Sequence, residues 1–372
     1  MLRIGIISPY SLSVPGGVQA QVLGLARELR RQGHEARVLG PCDGPPPEPF
    51  VTPLGNSLPT AANGSIAPLA PDASAALRTI RALRDEQFDV VHVHEPLAPG
   101  PPMTTLVMGG APIVGTFHAA GVSTSYRVFK PLLSRLLRRI DVKVVVSKDA
   151  LELVESHFPN HGNGVRMLFN GVDIATIAAA PVVSASGPTI FFCGRHEQRK
   201  GLAVLLEAFA KLPADARLWI GSDGPDGAAL RSRYAVDERI SWLGRIDDHE
   251  KFGRLRGASV FCAPSLHGES FGVVLIEAMA AETTVVASAL DGYRNVATDG
   301  VDALLVEPGD ATALASALAR ALTDAPLAAR LRAAGAARAE DFSMTKLVAE
   351  YVAIYEEAIE RRLSAQRLDR GA

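Results

Sequence analysis

Thr189-Ile190-Phe191-Phe192-Cys193-Gly194-Arg195-His196-Glu197-Gln198-Arg199-Lys200-Gly201-Leu202 reads as a strand, a turn and the start of a helix. Its first five residues form a short apolar run bounded by glycine, the length of a buried strand rather than a helix. Glycines bracket the turn, and three cations lie between them. A helical pattern follows over 202–211. Such a turn sits at the carboxyl end of a parallel strand, where open α/β sheets bind ligands. Arginine offers phosphate a bidentate fork and lysine a point charge. A solvated charged turn is the plainer alternative; the glycine brackets around Arg195 and Lys200 favour phosphate.

The alternation extends in both directions. Expected strands precede it at 3–7, 36–39, 89–93, 113–117 and 142–146. Others follow at 217–220, 240–242, 260–263, 284–287 and 303–306. Helical patterns cover 18–31, 131–140, 273–279 and 311–322. In the first, Val18, Val22, Leu25 and Leu29 share one stripe and Gly33 ends it. Strands alternating with helices imply parallel sheets covered by helices. The pattern runs twice, with a break near 179–188 that has neither period. The expected fold is α/β, two Rossmann-like domains facing across a cleft. The expected domains are 1–169, joined by an amphipathic helix at 344–362 that crosses back with the tail to 372, and 170–343.

The length of 372 residues exceeds one ordinary hydrophobic core, which agrees with two domains. A net charge of −2 gives no global reason to bind nucleic acid. No apolar run approaches the roughly 20 residues of a membrane span. The first residues meet Pro9 too soon for a signal segment. Cys42, Cys193 and Cys262 lack disulfide or metal spacing, and a reducing cytosol suits them. Cys193 and Cys262 end expected strands and read as small core residues.

Three further stretches carry chemistry. His267-Gly268-Glu269-Ser270-Phe271-Gly272 leads into an apolar helix that contains Glu277. A carboxylate in an oily helix is costly without a polar partner, and the turn frees N–H groups for an anion. A sugar nucleotide fits both, with diphosphate at the turn and hydroxyls at the carboxylates. Pro15-Gly16-Gly17-Val18 opens the first helix and allows close approach to backbone, but it is not the dinucleotide fingerprint. His118 ends a strand among small residues; a sugar contact and an ordinary loop histidine both stand. His92 and His94 alternate on a strand without a third ligand at metal spacing, so no metal is expected.

These residues together resemble the retaining family-4 glycosyltransferases of the GT-B fold. The finer match is to the phosphatidylinositol α-mannosyltransferases, actinobacterial enzymes that use GDP-mannose. It is carried by Pro9-Tyr10-Ser11, Val14 to Gln19, Asn63-Gly64-Ser65, His92-Val93-His94-Glu95-Pro96, Asn170-Gly171-Val172-Asp173 and Cys262-Ala263-Pro264. The resemblance implies roles. Arg195 and Lys200 hold the donor diphosphate, with Gly16 and Gly17 against it. Glu269 contacts the transferred sugar beside Ser270, Phe271 and Gly272, and Glu277 the ribose. Ile246, Asp248 and Lys251 read guanine, and His118 meets the mannose or the acceptor. No cofactor or metal is implied. The acceptor is phosphatidylinositol, at the cytoplasmic face of the membrane. Glu282 stands where the family has glycine.

A lipid acceptor requires a surface that meets anionic lipid. Arg127, Lys130, Arg135, Arg138 and Arg139 are expected on one side of a helical stretch, with Pro131 in its first turn and Arg127 before the helix. Phe129, Leu132, Leu133, Leu136, Leu137 and Ile140 are expected on the other. Each such cation near anionic lipid is worth roughly 1 kcal/mol. A solvated basic face is the alternative. Arg78, Arg81 and Arg84, followed by Asp85 and Glu86, form a weaker patch. A related enzyme using UDP-glucose or another donor, with a different lipid or soluble acceptor, is the rival reading.

Overall fold

The computed structural model describes residues 1–14, 16–62, 65–119, 124–159, 164–269 and 271–371. The chain forms two compact units: Met1–Gly171 with Met344–Ala372, and Val172–Ser343. The boundary falls two residues after the expected one.

The first unit carries, in chain order, β1 (Arg3–Ile7), β2 (Glu35–Gly40), β3 (Val51–Pro53), β4 (Leu58–Ala62), β5 (Ser65–Leu69), β6 (Val90–His94), β7 (Ile113–Phe117), β8 (Val142–Val145) and β9 (Arg166–Met167). Seven of them make a parallel sheet in the order β3-β2-β1-β6-β7-β8-β9, and β4 and β5 pair as a separate hairpin. The second unit holds β10 (Thr189–Cys193), β11 (Arg217–Gly221), β12 (Ile240–Gly244), β13 (Val260–Ala263), β14 (Thr284–Ser288) and β15 (Leu304–Val306). They are parallel in the order β12-β11-β10-β13-β14-β15. In each sheet the chain winds outward from its first strand, then returns to that strand's other side. The reversal lies between β1 and β6, and again between β10 and β13. A crevice forms at the carboxyl ends of strands where the order reverses, which makes these two points the natural ligand sites.

Period-2 alternation sorts the first sheet's side chains between two cores. Ile4, Ile6, Val90, Val114 and Val144 face one side, where Val22, Leu25 and Leu29 of the helix Gly17–Arg31 pack. Ile7, Val91, Val93 and Phe117 face the other, against Leu133, Leu136 and Leu153. Each fully buried leucine or isoleucine contributes about 1.5–3 kcal/mol. The C-terminal helix Met344–Gly371 completes the first of these cores. Met344, Leu347, Val348, Tyr351, Ile354, Tyr355 and Ala358 recur at helical spacing and are all buried there. The helix runs well past the expected 362.

Short elements escaped the sequence reading. β3 and β9 have three and two residues, below any periodicity. The hairpin contains Pro59 opposite Pro68, residues that argue against a strand. The helix expected over 131–140 is Lys130–Leu137, ending three residues early, and a separate short helix, Thr124–Val128, precedes it across Phe129. Pro131 has no N–H and its ring obstructs the preceding turn, so a helix can begin there but not pass through. Arg127 therefore lies before the break, and Arg138 and Arg139 follow the last turn. The expected apolar side is split. Leu133, Leu136, Leu137 and Ile140 are buried, whereas Phe129 is 56% and Leu132 51% exposed.

Glu282 has a structural consequence. The helix Val273–Ala280 ends in paired bonds, Glu282 N–H to Met279 O at 3.0 Å and Thr283 N–H to Ala278 O at 3.0 Å. This closure places Glu282 in the left-handed region at φ +57°, where glycine is preferred. Glu282→Gly is expected to stabilise the chain by roughly 1 kcal/mol, read as an upward shift of the unfolding midpoint. A lower midpoint contradicts the strain at this position.

Candidate functional site

The turn after β10 and the loop after β13 come from neighbouring strands. Gly201 has φ +70°, and a Cβ there would stand 1.9 Å from the Pro264 carbonyl oxygen. The cation turn thus rests directly on the second loop, a fit that only glycine permits. Leu266 N–H donates to Arg199 O at 2.7 Å and joins the same two segments.

This seating brings Lys200 onto Glu269, with Nζ 2.6 Å from Oε1. Arg199 Nη1 lies 3.4 Å from the same oxygen, while its Nη2 pairs with Glu197 at 2.7 Å. Ser265 Oγ donates to Glu269 Oε1 at 3.0 Å and shares a 3.0 Å bond with the Tyr293 hydroxyl. Burial, with the charge of Glu269, pushes the Tyr293 phenol up, so it stays neutral. All these contacts use Oε1. Among the described residues nothing partners Oε2. Arg195 is exposed and likewise has no ion pair among the described residues. Cys193, Arg195, Arg199, Lys200, Ser265 and Tyr293 help line a pocket of about 220 Å³.

A second cluster stands beside it. Asp247 caps the helix Asp248–Gly257 by accepting from Glu250 N–H. One turn on, Lys251 Nζ lies 2.9 Å from Glu277 Oε1 and 2.9 Å from Asp248 Oδ1. Burial pulls the Lys251 ammonium down, but Glu277 and Asp248 outweigh it, and the net shift is upward. Glu277 thereby has the polar partner its apolar helix demands. Its second oxygen has no partner among the described residues. Asp248 is 74% exposed and free to accept from a ligand. Cys193 is half-buried rather than core, and burial raises its thiol to about 11, with Lys251, Glu277 and Asp248 near enough to act on it. Ile246 and Cys193 both approach Gly221.

The first unit has its own arrangement at the strand ends beside β1, β6 and β7. Gly16 is the extended N-cap of the helix Gly17–Arg31, without a side-chain cap. A Cβ at Gly16 would meet Gln19 Oε1 at 2.3 Å, whereas Gly17 opens on free space. An uncapped 15-residue helix start attracts an anion. At the end of β7, His118 Nε2 lies 2.8 Å from His94 Nδ1 at the end of β6. Glu95, φ +45°, accepts from the backbone N–H groups of His118 and Ala119. Burial raises the Glu95 carboxyl to about 7 against those two bonds. Tyr10 follows β1, and burial, then Glu95, raise its phenol.

Residues 187–324 match the family model described as glycosyl transferases group 1, and residues 15–176 the model described as glycosyltransferase family 4. The chain is 38% identical over 370 residues to a phosphatidyl-myo-inositol mannosyltransferase of Mycobacterium leprae, covering 95% of this chain and 96% of that one. The chain belongs to the family-4 glycosyltransferases of the GT-B fold. The Mycolicibacterium smegmatis protein of the same name is 37% identical, with 95% and 94% covered. A D-inositol 3-phosphate glycosyltransferase of Xylanimonas cellulosilytica is 28% identical, with 93% of each chain covered. Among solved structures, a sucrose-phosphate synthase from Thermosynechococcus elongatus superposes with a TM-score of 0.74 at 23% identity, over 98% of this chain and 100% of that one. That likeness speaks for the fold alone.

Within this glycosyltransferase the expected residues form distinct groups. Lys200 and Glu269 pair directly, as do Lys251 with Asp248 and Glu277. Gly272 caps the helix Val273–Ala280 at φ +97°, and a Cβ there would strike Tyr293 at 2.8 Å. The Phe271 ring is buried against Phe342, so it serves the core. Ser270, Pro15, Asn63 and Gly64 lie outside the described residues. Arg199, Ser265 and Tyr293 were not foreseen as site residues. Arg199 was visible in the cation run, but nothing in its spacing told it from a solvated charge. On the weaker basic patch, Arg78 donates to Leu54 O and Arg81 pairs with Asp85. Arg139 donates to Val107 O.

Proposed function

We propose that this glycosyltransferase moves mannose, with retention, from GDP-mannose to phosphatidylinositol at the cytoplasmic face of the membrane. The likeness to phosphatidyl-myo-inositol mannosyltransferases over 95% of the chain carries this reading. Arg195 and Lys200 supply positive charge to a diphosphate, so no metal ion is invoked; the uncapped helix start at Gly17 is an anion-attracting point of the first unit. Asp248 accepts from the guanine N1–H and 2-amino groups, donors that uracil and adenine do not present together. Glu277 holds ribose hydroxyls with its free oxygen, and Glu269 holds the mannose with its own. His118 meets the mannose or the acceptor.

The chemistry breaks the bond from the mannose anomeric carbon to the β-phosphate oxygen. The acceptor hydroxyl oxygen bonds that carbon from the same face. Its proton passes to the departing phosphate oxygen, leaving GDP and mannosyl-phosphatidylinositol. Double displacement needs a free carboxylate nucleophile. Glu269, bound by Lys200 and Ser265, is poorly suited to that task. Among the described residues no helix is long and apolar enough to cross a membrane. Arg127, Lys130, Arg135, Arg138 and Arg139 give lipid headgroups a basic surface, and Phe129 and Leu132 give acyl chains an apolar edge.

The inositol phosphate glycosyltransferase among the relatives favours a second reading, a soluble inositol phosphate acceptor. The deciding experiment offers GDP-[¹⁴C]mannose with phosphatidylinositol liposomes or with inositol phosphate, and ranks GDP, UDP and ADP by thermal shift. The expected result is label in the lipid phase, stabilisation by GDP alone, and weaker vesicle binding by Phe129→Ser/Leu132→Ser. Label confined to water-soluble product overturns the lipid acceptor. Stabilisation by UDP or ADP instead of GDP overturns the donor.

A further inference from the structure

His94 is buried, yet its Nε2 has no hydrogen-bond partner among the described residues. Its other nitrogen faces a ring nitrogen of His118, and neighbouring groups explain why neither ring can simply ionise. His92 lies against His94 with centroids 4.2 Å apart and the rings tilted by 30°. The His92 ring is itself bound at both ends, to the Tyr355 hydroxyl at 2.8 Å and to Thr116 Oγ1 at 2.7 Å. Thr116 Oγ1 in turn lies 3.1 Å from the Tyr351 hydroxyl. Glu95, next to His94 in the chain, turns its Oε1 to the two backbone N–H groups described above. Burial holds all three imidazoles below their ordinary range, His92 to about 3 and His118 to about 4. Each ring is therefore neutral at pH 7 and carries one proton.

One proton is shared across the 2.8 Å contact between His94 Nδ1 and His118 Nε2. If it belonged to His118, His94 would carry its own proton on Nε2, a buried N–H with no acceptor among the described residues. Orphaned buried N–H groups are rarer than under-satisfied acceptors. With the proton on His94 Nδ1, the orphan is a bare acceptor, and His118 must carry its proton on Nδ1.

We propose that His94 is a positioning residue that locks His118 in the Nδ1–H tautomer, so that His118 meets the sugar substrate as a hydrogen-bond donor and never as a base. The bare Nε2 of His118 is filled by His94, and its Nδ1 already holds a proton. The ring can give an N–H to a hydroxyl or phosphate oxygen but has no site to take the acceptor's proton. The part that involves sugar rests on the proposed function; the tautomer does not.

The test labels the histidines with ¹⁵N and reads ring tautomers by long-range ¹H–¹⁵N correlation in the ligand-free wild-type chain, with His118→Gln assigning the His118 signals. The expected result is protonated Nδ1 and bare Nε2 on His118, unchanged from pH 6 to 8. A protonated Nε2, or a ring that becomes cationic in that range, overturns the proposal. Kinetics give an independent readout. His94→Ala is expected to lower kcat by about 10²-fold or more, as for a lost or misdirected donor, with KM for the donor little changed. His94→Asn, whose amide N–H replaces Nδ1–H, is expected to recover most of the loss. Equal loss in both folded variants overturns the positioning role. If mannose is not the sugar, the donor experiment fails while the tautomer result stands.

Discussion

Glu269→Gln is expected to lower kcat by about 10²–10³-fold, the cost of losing one preorganised charged contact, while GDP binding is kept or strengthened. The opposite signs follow from the contacts of one oxygen. Glu269 Oε1 neutralises Lys200 at 2.6 Å and takes part of the charge of Arg199. Glutamine keeps the bond from Ser265 and so keeps the turn in place. It removes the negative charge, which leaves both cations more available to a diphosphate and weakens the grip on the sugar. Calorimetry with GDP beside steady-state turnover separates the two effects. If GDP affinity falls in parallel with kcat, Glu269 holds the loop together and has no distinct duty toward the sugar.

Arg195→Ala is expected to lower kcat/KM by about 10³-fold or more with almost no change in stability. Arginines that neutralise a departing phosphate carry effects of that size. The side chain is exposed and makes no ion pair among the described residues, and such surface changes shift stability by about 0.5 kcal/mol or less. Lys200→Ala makes the informative contrast. It strips the shortest contact from a mostly buried carboxylate that keeps Arg199 and Ser265, so it should cost activity and also about 1.5–3 kcal/mol of stability. Kinetics and thermal unfolding of the two variants distinguish a free cation from a paired one. A large stability loss in Arg195→Ala would show that it is anchored.

These expectations rest on strands whose limits were legible from sequence. The runs 3–7, 113–117, 189–193 and 260–263 coincide with the observed strands, because each is a short apolar stretch closed by a turn. The charged and glycine residues at the ends of the second unit's strands were legible for the same reason. Contacts between distant positions were not. Lys200 meets Glu269 across 69 residues and Tyr355 meets His92 across 263, and no local period encodes either. Pro131 marked a helix start, and the helix Lys130–Leu137 begins there, whereas the five-residue helix Thr124–Val128 ahead of it was too short to read. The His94–His118 contact was hidden differently. Both residues stood out, one as a strand alternation and one as a strand end, yet only the pairing of β6 with β7 sets them side by side.

The C-terminal helix carries a consequence for the order in which the chain matures. Its buried stripe, from Met344 to Ala358, covers a face of the sheet whose strands are translated first. A ribosome adding about 5–20 residues per second needs roughly 10–40 s to travel from Gly171 to Gly371. During that interval most of the later unit, Val172–Ser343, is made and emerges, while the earlier one lacks the helix that covers its oily face. The nascent N-terminal half is thus a candidate client for holding chaperones, and a nonsense mutation shortly before Met344 would damage the half of the protein made long before it.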